Sequence, residues 1–151
     1  MTTKHEARST SPVPSQHGFS LIELMVVVAI IAILGMIALP QYQKFATRAK
    51  YSAALAEIAP GKAGVEVLFA EGEPGRTIQP SNIGLELSTS NCERITTELD
   101  DFNYPTRVEI ICELAWSLSP DTISLVREHT GEWRCTSNIY NKSLLPEVCR
   151  A

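Results

Sequence analysis

Between Phe19 and Leu39 a single charged residue, Glu23, interrupts an otherwise apolar and small-residue stretch. As a helix rising ~1.5 Å per residue this stretch reaches about 30 Å, the thickness of a bilayer core. It is apolar on every side, which distinguishes it from an amphipathic surface helix. Pro40 follows and removes a backbone donor, so the helix is expected to kink or loosen there, with Gly35 weakening a nearby turn. Beyond Pro40 a helical period resumes. Tyr51, Leu55, Ile58, Val65, Leu68 and Phe69 form an apolar stripe, and Lys44, Arg48, Lys50, Glu57, Lys62 and Glu66 fill the polar positions. Residues 41 to 71 therefore read as an amphipathic helix continuing the apolar one, with a second irregularity at Pro60-Gly61.

Gly72-Glu73-Pro74-Gly75 marks the end of that helix, and residues 73 to 90 have the composition of a loop. The period then shifts to two. Val108, Ile110, Cys112, Leu114 and Trp116 alternate along Arg107–Trp116, and Thr122–Glu128 is rich in β-formers. Glu132–Cys135 follows a turn at His129-Thr130-Gly131, the signature of a hairpin, and Cys92–Leu99 is a further strand candidate. Four antiparallel strands packed on the amphipathic half-helix would bury both apolar faces, so the expected class is α+β: one long N-terminal helix against a four-stranded antiparallel sheet. Three segments follow: a leader at 1–18, an apolar membrane or assembly helix at 19–40, and a globular head at 41–151. The leader is polar, Ser-, Thr- and Pro-rich, and carries Lys4, His5, Arg8 and His17.

The 151 residues carry a formal charge of −4. Removing residues 1–18 takes two of 13 basic and one of 17 acidic residues, leaving a formal −5. An acidic head argues against nucleic-acid binding, which needs a basic surface to meet phosphates. Lys44, Arg48 and Lys50 lie close together and read as a flank of the membrane helix near lipid headgroups. All four cysteines, Cys92, Cys112, Cys135 and Cys149, fall in the C-terminal half with no C-x-x-C pair, which argues for disulfides and against a zinc site. Four cysteines allow three connectivities, and sequence does not choose among them. Pairing neighbours, Cys92–Cys112 and Cys135–Cys149, closes the short loops and is the expected arrangement, each bond contributing roughly 3 kcal/mol.

Candidate chemistry is sparse. His129 is the single histidine after residue 18 and falls near a turn. Asp100-Asp101 and Glu71/Glu73 are loop carboxylates of the solvated kind, with no third ligand to make a cation site. No phosphate-binding glycine loop or nucleophile elbow is present. The expectation is a protein without catalytic residues, metal or cofactor.

Glu23 is the residue that separates the readings of the apolar run. A carboxylate there costs on the order of 2.5–3.5 kcal/mol if it reaches the bilayer centre, and a signal peptide or a plain anchor gains nothing from it. Cleavage before Phe19 would create an α-amino group in the same apolar layer, and Glu23 of one copy would pair with that amine on a neighbour.

Gly18-Phe19-Ser20-Leu21-Ile22-Glu23-Leu24 resembles the cleavage and methylation motif of type IV prepilins, and the similarity continues through Met25–Leu34 and Ala38-Leu39-Pro40-Gln41-Tyr42-Gln43. Ala56–Lys62 and Gly131–Ser137, with Pro146 and Cys149, resemble segments of pseudomonad-type major pilins, and Cys92 with Cys112 is similar to a subgroup having two disulfides. The resemblance implies a precursor in the inner membrane of a Gram-negative bacterium, cut between Gly18 and Phe19 by a prepilin peptidase that also N-methylates Phe19. Glu23 would serve methylation and docking, Pro40 would mark where the helix loosens in the filament, and Cys135–Cys149 would bound an exposed, sometimes adhesive loop. The implied partners are further copies of the chain, the pilus assembly machinery, and host receptors or surfaces. The implied function is a subunit of type IV pili serving adhesion and twitching motility. The leader departs from the family by its length and by His17 before the glycine.

Rival readings within the family are a minor pilin, a DNA-uptake pilin, with DNA as partner, and a secretion pseudopilin. Outside the family the rival is a membrane-anchored or secreted binding domain that never polymerises.

Overall fold

A computed structural model describes residues 18–72, 78–101, 106–117 and 120–150. The leader apart from Gly18, and the Glu73-Pro74-Gly75 part of the predicted helix stop, lie outside them. The chain divides into two compact units, residues 1–39 and 40–151.

In the first unit the structure is the beginning of helix α1 (Leu21–Ile58), whose residues from Leu21 to Leu39 are exposed except Gly35. Pro40 lies inside α1, which is assigned without a break across it. Helix α2 (Gly61–Ala70) follows after Ala59-Pro60, so the irregularity expected at Pro60-Gly61 is present and divides the amphipathic segment expected over residues 41 to 71 into two helices. The cause is local. Pro60 has no amide hydrogen to continue α1 and sits where α2 begins, a position a proline tolerates.

In the second unit, strands β1 (Cys92–Leu99), β2 (Val108–Leu114), β3 (Thr122–Arg127) and β4 (Trp133–Ser137) form one antiparallel sheet in sequence order. The register pairs Ile95 with Cys112, Ile110 with Leu125, and Leu125 with Cys135. One face therefore carries Ile95, Val108, Ile110, Cys112, Leu114, Ile123, Leu125 and Cys135, all buried. Tyr51, Ala54 and Ile58 of α1 and Val65 of α2 complete the same core. The alternation in β2 is the sequence image of this packing: every second residue is buried from Val108 to Leu114. The β3–β4 turn closes with the Gly131 amide donating to the Glu128 carbonyl at 2.8 Å, and Gly131 takes φ +83°, a conformation glycine adopts freely.

Between α2 and β1 lies a feature absent from the sequence reading, a 3-10 turn at Pro80–Ile83 that inserts Ile83 and Leu85 into the core. Gly64 of α2 faces it so closely that a Cβ there would stand 2.5 Å from both the Cα and the carbonyl oxygen of Ile83. Both sheet edges are covered. Beside β1 the chain folds back, with the Ile95 amide donating to the Leu87 carbonyl and the Thr89 amide to the Cys92 carbonyl, at 2.7 and 2.8 Å. Beside β4 runs the segment of the 3-10 turn Glu147–Cys149, fastened by the Cys135–Cys149 bond.

Candidate functional site

The chemistry-bearing features fall in three places: the start of α1, the disulfides, and the polar clamps that hold the second unit together.

Gly18, Phe19 and Ser20 precede the helix and are exposed. The Ser20 amide donates to Glu23 Oε2 at 2.9 Å, and the Leu24 amide donates to the Ser20 carbonyl. Ser20 thus occupies the cap position, and Glu23, three residues on, reaches back to it as in a capping box. The S-x-x-E spacing is itself a cap signature, and it adds an intramolecular role to the methylation and docking roles expected of Glu23. The carboxylate also faces the positive end of the helix dipole. Both effects lower the cost of placing it in an apolar helix. A carboxylate has acceptor capacity for further donors, so the local bond leaves room for a second partner. Around it Phe19, Ile22, Val26 and Val27 line a shallow apolar recess. Among the described residues, one helical run, Leu21–Ala70, contains a stretch long and apolar enough to cross a membrane.

The structure joins Cys92 to Cys112, with Cα atoms 5.3 Å apart, and Cys135 to Cys149, with Cα atoms 4.6 Å apart. The first bond staples β1 to β2 inside the core. The second ties β4 to the C-terminal turn. The loop it closes is held further by Arg48, whose Nε donates to the Ser143 carbonyl at 3.1 Å, and by an Asn141 side chain that accepts from the Ser143 amide and hydroxyl.

Two glutamates read as part of a solvated helix face are tertiary clamps. Glu57 of α1 accepts from the side chains of Thr89, Ser90 and Asn91, fixing the approach to β1. Burial raises its pKa, but the hydrogen bonds from Thr89, Asn91 and Ser90 outweigh this and hold it below the ordinary value. Glu66 of α2 receives Arg127 Nε at 2.9 Å and its terminal nitrogen at 3.1 Å, plus Trp133 Nε1 at 2.7 Å. Its pKa is lowered, chiefly by the Arg127 hydrogen bond. The Arg127 guanidinium also lies 4.1 Å from the centre of the Phe69 ring. Asp100, expected to be a solvated acid, instead organises the β1–β2 connection. It accepts from the amides of Asp101, Thr106 and Arg107 and from the Thr106 hydroxyl, and these bonds lower its pKa to about 2. His129 is an exposed turn residue. Among the described residues no three His, Cys, Asp or Glu side chains converge to hold a metal.

The first unit is an exposed helix, apolar apart from Glu23, and the second is a head with one disulfide-stapled sheet. Comparison with known proteins gives the family. The family model described as Pilin (bacterial filament) matches residues 47–150, and that of the prokaryotic N-terminal methylation motif matches residues 14–39. A fimbrial protein of Pseudomonas aeruginosa is 34% identical over 150 residues, covering 89% of this chain and 97% of its own length. Fimbrial protein EcpB of Eikenella corrodens is 31% identical over 146 residues, covering 87% of this chain and 91% of its own. A probable minor fimbrial protein of Dichelobacter nodosus is 33% identical over 152 residues, covering 89% and 94%. The chain belongs to the type IV pilin family. It is a structural pilus subunit with a membrane-anchored precursor form and an extracellular polymer form.

Proposed function

We propose that this pilin is cut between Gly18 and Phe19 by a prepilin peptidase, N-methylated at Phe19, and added to a growing pilus with Glu23 meeting the N-terminus of a neighbouring copy. In this reading residues 1–18 are the leader, 19–40 the assembly helix and 41–151 the displayed head. The observation that carries it is Glu23, the sole charge of the apolar stretch, set one turn from Phe19 with its carboxylate already turned back toward the N-terminus. Helix packing supplies most of the association, because apolar side chains gain little by moving from lipid to protein. The buried ion pair sets register more than it adds stability. Pro40 serves as the point where the helix loosens in the polymer. The assembly machinery of a Gram-negative inner membrane adds the subunits, and the pili serve adhesion and twitching motility. The Cys135–Cys149 loop, exposed at Glu147 and Val148, is the part of the head that meets receptors or surfaces.

The test is Glu23→Ala in the native host. The expected result is a mature chain beginning at Phe19 by mass, with surface pili lost. Normal pili from that variant would refute the role of Glu23, and a wild-type chain with an intact N-terminus would refute the processing. A minor-subunit role is the second reading, supported by the name of the Dichelobacter relative. The abundance of the chain in sheared pili separates the two.

A further inference from the structure

The first turns of the second unit carry exposed side chains that the filament reading leaves unused. Tyr42 and Phe45 of α1 are 72% and 65% exposed, and Lys44, Arg48 and Lys50 are exposed beside them. No acidic residue occurs between Glu23 and Glu57, so α1 itself is cationic here in a chain of formal charge −4. From the head, Asp121 acts on the neighbouring Tyr51, and Lys50 Nζ lies 5.5 Å from the centre of the Trp116 ring. The Arg48–Ser143 hydrogen bond draws a further cationic residue, Lys142 in the turn Lys142–Leu144, toward the same part of α1.

We propose that this band is a binding site for the anionic phospholipid headgroups of the bilayer that α1 spans, occupied while the subunit is stored in the membrane. The inference rests on the membrane-anchored precursor. Distance decides which charges take part. Lys44 follows Leu39 by five residues, Arg48 by nine and Lys50 by eleven, so all three emerge within a short length of chain from the hydrocarbon. Long side chains and a screening length of ~8 Å extend their reach to the phosphates. Tyr42 and Phe45 follow Leu39 by three and six residues, where the chain enters the interface that aromatic rings favour. Charge then selects the ligand: phosphates without a compensating cation, as in phosphatidylglycerol, over zwitterionic phosphatidylcholine. A DNA duplex offers phosphates too, but no apolar layer for Tyr42 and Phe45.

The experiment titrates the full chain in detergent with phosphatidylglycerol or phosphatidylcholine and reads bound lipid by native mass spectrometry. Wild type is expected to prefer phosphatidylglycerol. Lys44→Gln/Lys50→Gln, which leaves the Arg48–Ser143 bond in place, is expected to weaken phosphatidylglycerol binding about 30-fold, the equivalent of ~1 kcal/mol for each cation. Lys62→Gln, whose lysine lies over Trp133 on α2, is expected to change nothing. Lys50 and Lys62 lie over the rings of Trp116 and Trp133, so folding of each variant is confirmed by circular dichroism and its thermal midpoint instead of by tryptophan emission. No lipid preference in wild type, a preference that survives the double substitution, or one lost on Lys62→Gln would overturn the proposal. So would tighter binding of a DNA duplex than of phosphatidylglycerol. Absence of wild-type pili would instead refute the polymer reading and leave the lipid measurement standing.

Discussion

Replacing Gly64 by alanine sets two effects of known sign against each other. Alanine is favoured over glycine within a helix by ~1 kcal/mol, so propensity alone predicts a more stable head. Packing predicts the opposite. The new Cβ would stand 2.5 Å from the Ile83 Cα and carbonyl oxygen and 2.7 Å from its carbonyl carbon, where ordinary contact begins at 3.4 Å. The turn Pro80–Ile83 must therefore retreat by roughly 1 Å, the difference between those contact distances. It cannot do so freely. The Ile83 amide donates to the Gln79 carbonyl, the Leu85 amide donates to the Pro80 carbonyl, and the Ile83 and Leu85 side chains are buried. Overpacking of this kind costs ~1–3 kcal/mol, and backbone in the way places this site at the upper end. The expected net is a loss of about 1–2 kcal/mol once the helix gain is subtracted. Thermal unfolding in detergent, followed by tryptophan emission, should show a midpoint lower by about 5–10 °C. Both tryptophans, Trp116 and Trp133, lie in the second unit, so the signal reports the head alone. An unchanged or raised midpoint would refute the reasoning.

The charge and disulfide features give two more expectations. The Asp100 carboxylate, ordinarily near 3.8, is lowered to about 2 in the folded chain, so its stabilisation is complete above pH ~4 and fades as pH falls toward 2; Asp100→Asn should remove that part of the acid dependence, and an identical stability-against-pH slope for both proteins would refute it. Under limiting reductant, alkylation mapped by mass spectrometry should appear first at Cys135 and Cys149, because Cys92 and Cys112 have no exposed surface while Cys135 keeps 5%; earlier labelling of Cys92 and Cys112 would contradict this order.

Much of the fold was legible because it is periodic. Burial at every second residue of β2, and at Tyr51, Ile58 and Val65 of the apolar stripe, is written directly in residue type, whereas the stripe's Leu55, Leu68 and Phe69 are only partly buried and the small Ala54 is buried without a signal. The start of α1 is legible too, and Ser20 and Glu23, which carry the family motif, also cap the helix. What the sequence did not show depends on distant partners. Glu57 and Glu66 look like any solvated helix glutamate. Their roles come from Asn91, 34 residues on, and from Arg127, 61 residues on, which only the folded sheet brings near. The turn at Pro80–Ile83 has no period to read, and its position is set by the absence of a side chain at Gly64.

The covered edges of the sheet bear on a hazard of crowding. A polymer that stacks many copies of one β-rich head holds identical strands at very high local concentration, the condition under which open edges recruit one another into cross-β aggregates. Here the returning chain at Leu87–Thr89 occupies hydrogen-bonding groups along β1, and the disulfide-held C-terminal turn runs beside β4. Neighbouring heads in a pilus thus meet a β1 edge whose Ile95 amide and Cys92 carbonyl are already engaged, which leaves fewer groups to template a fused sheet.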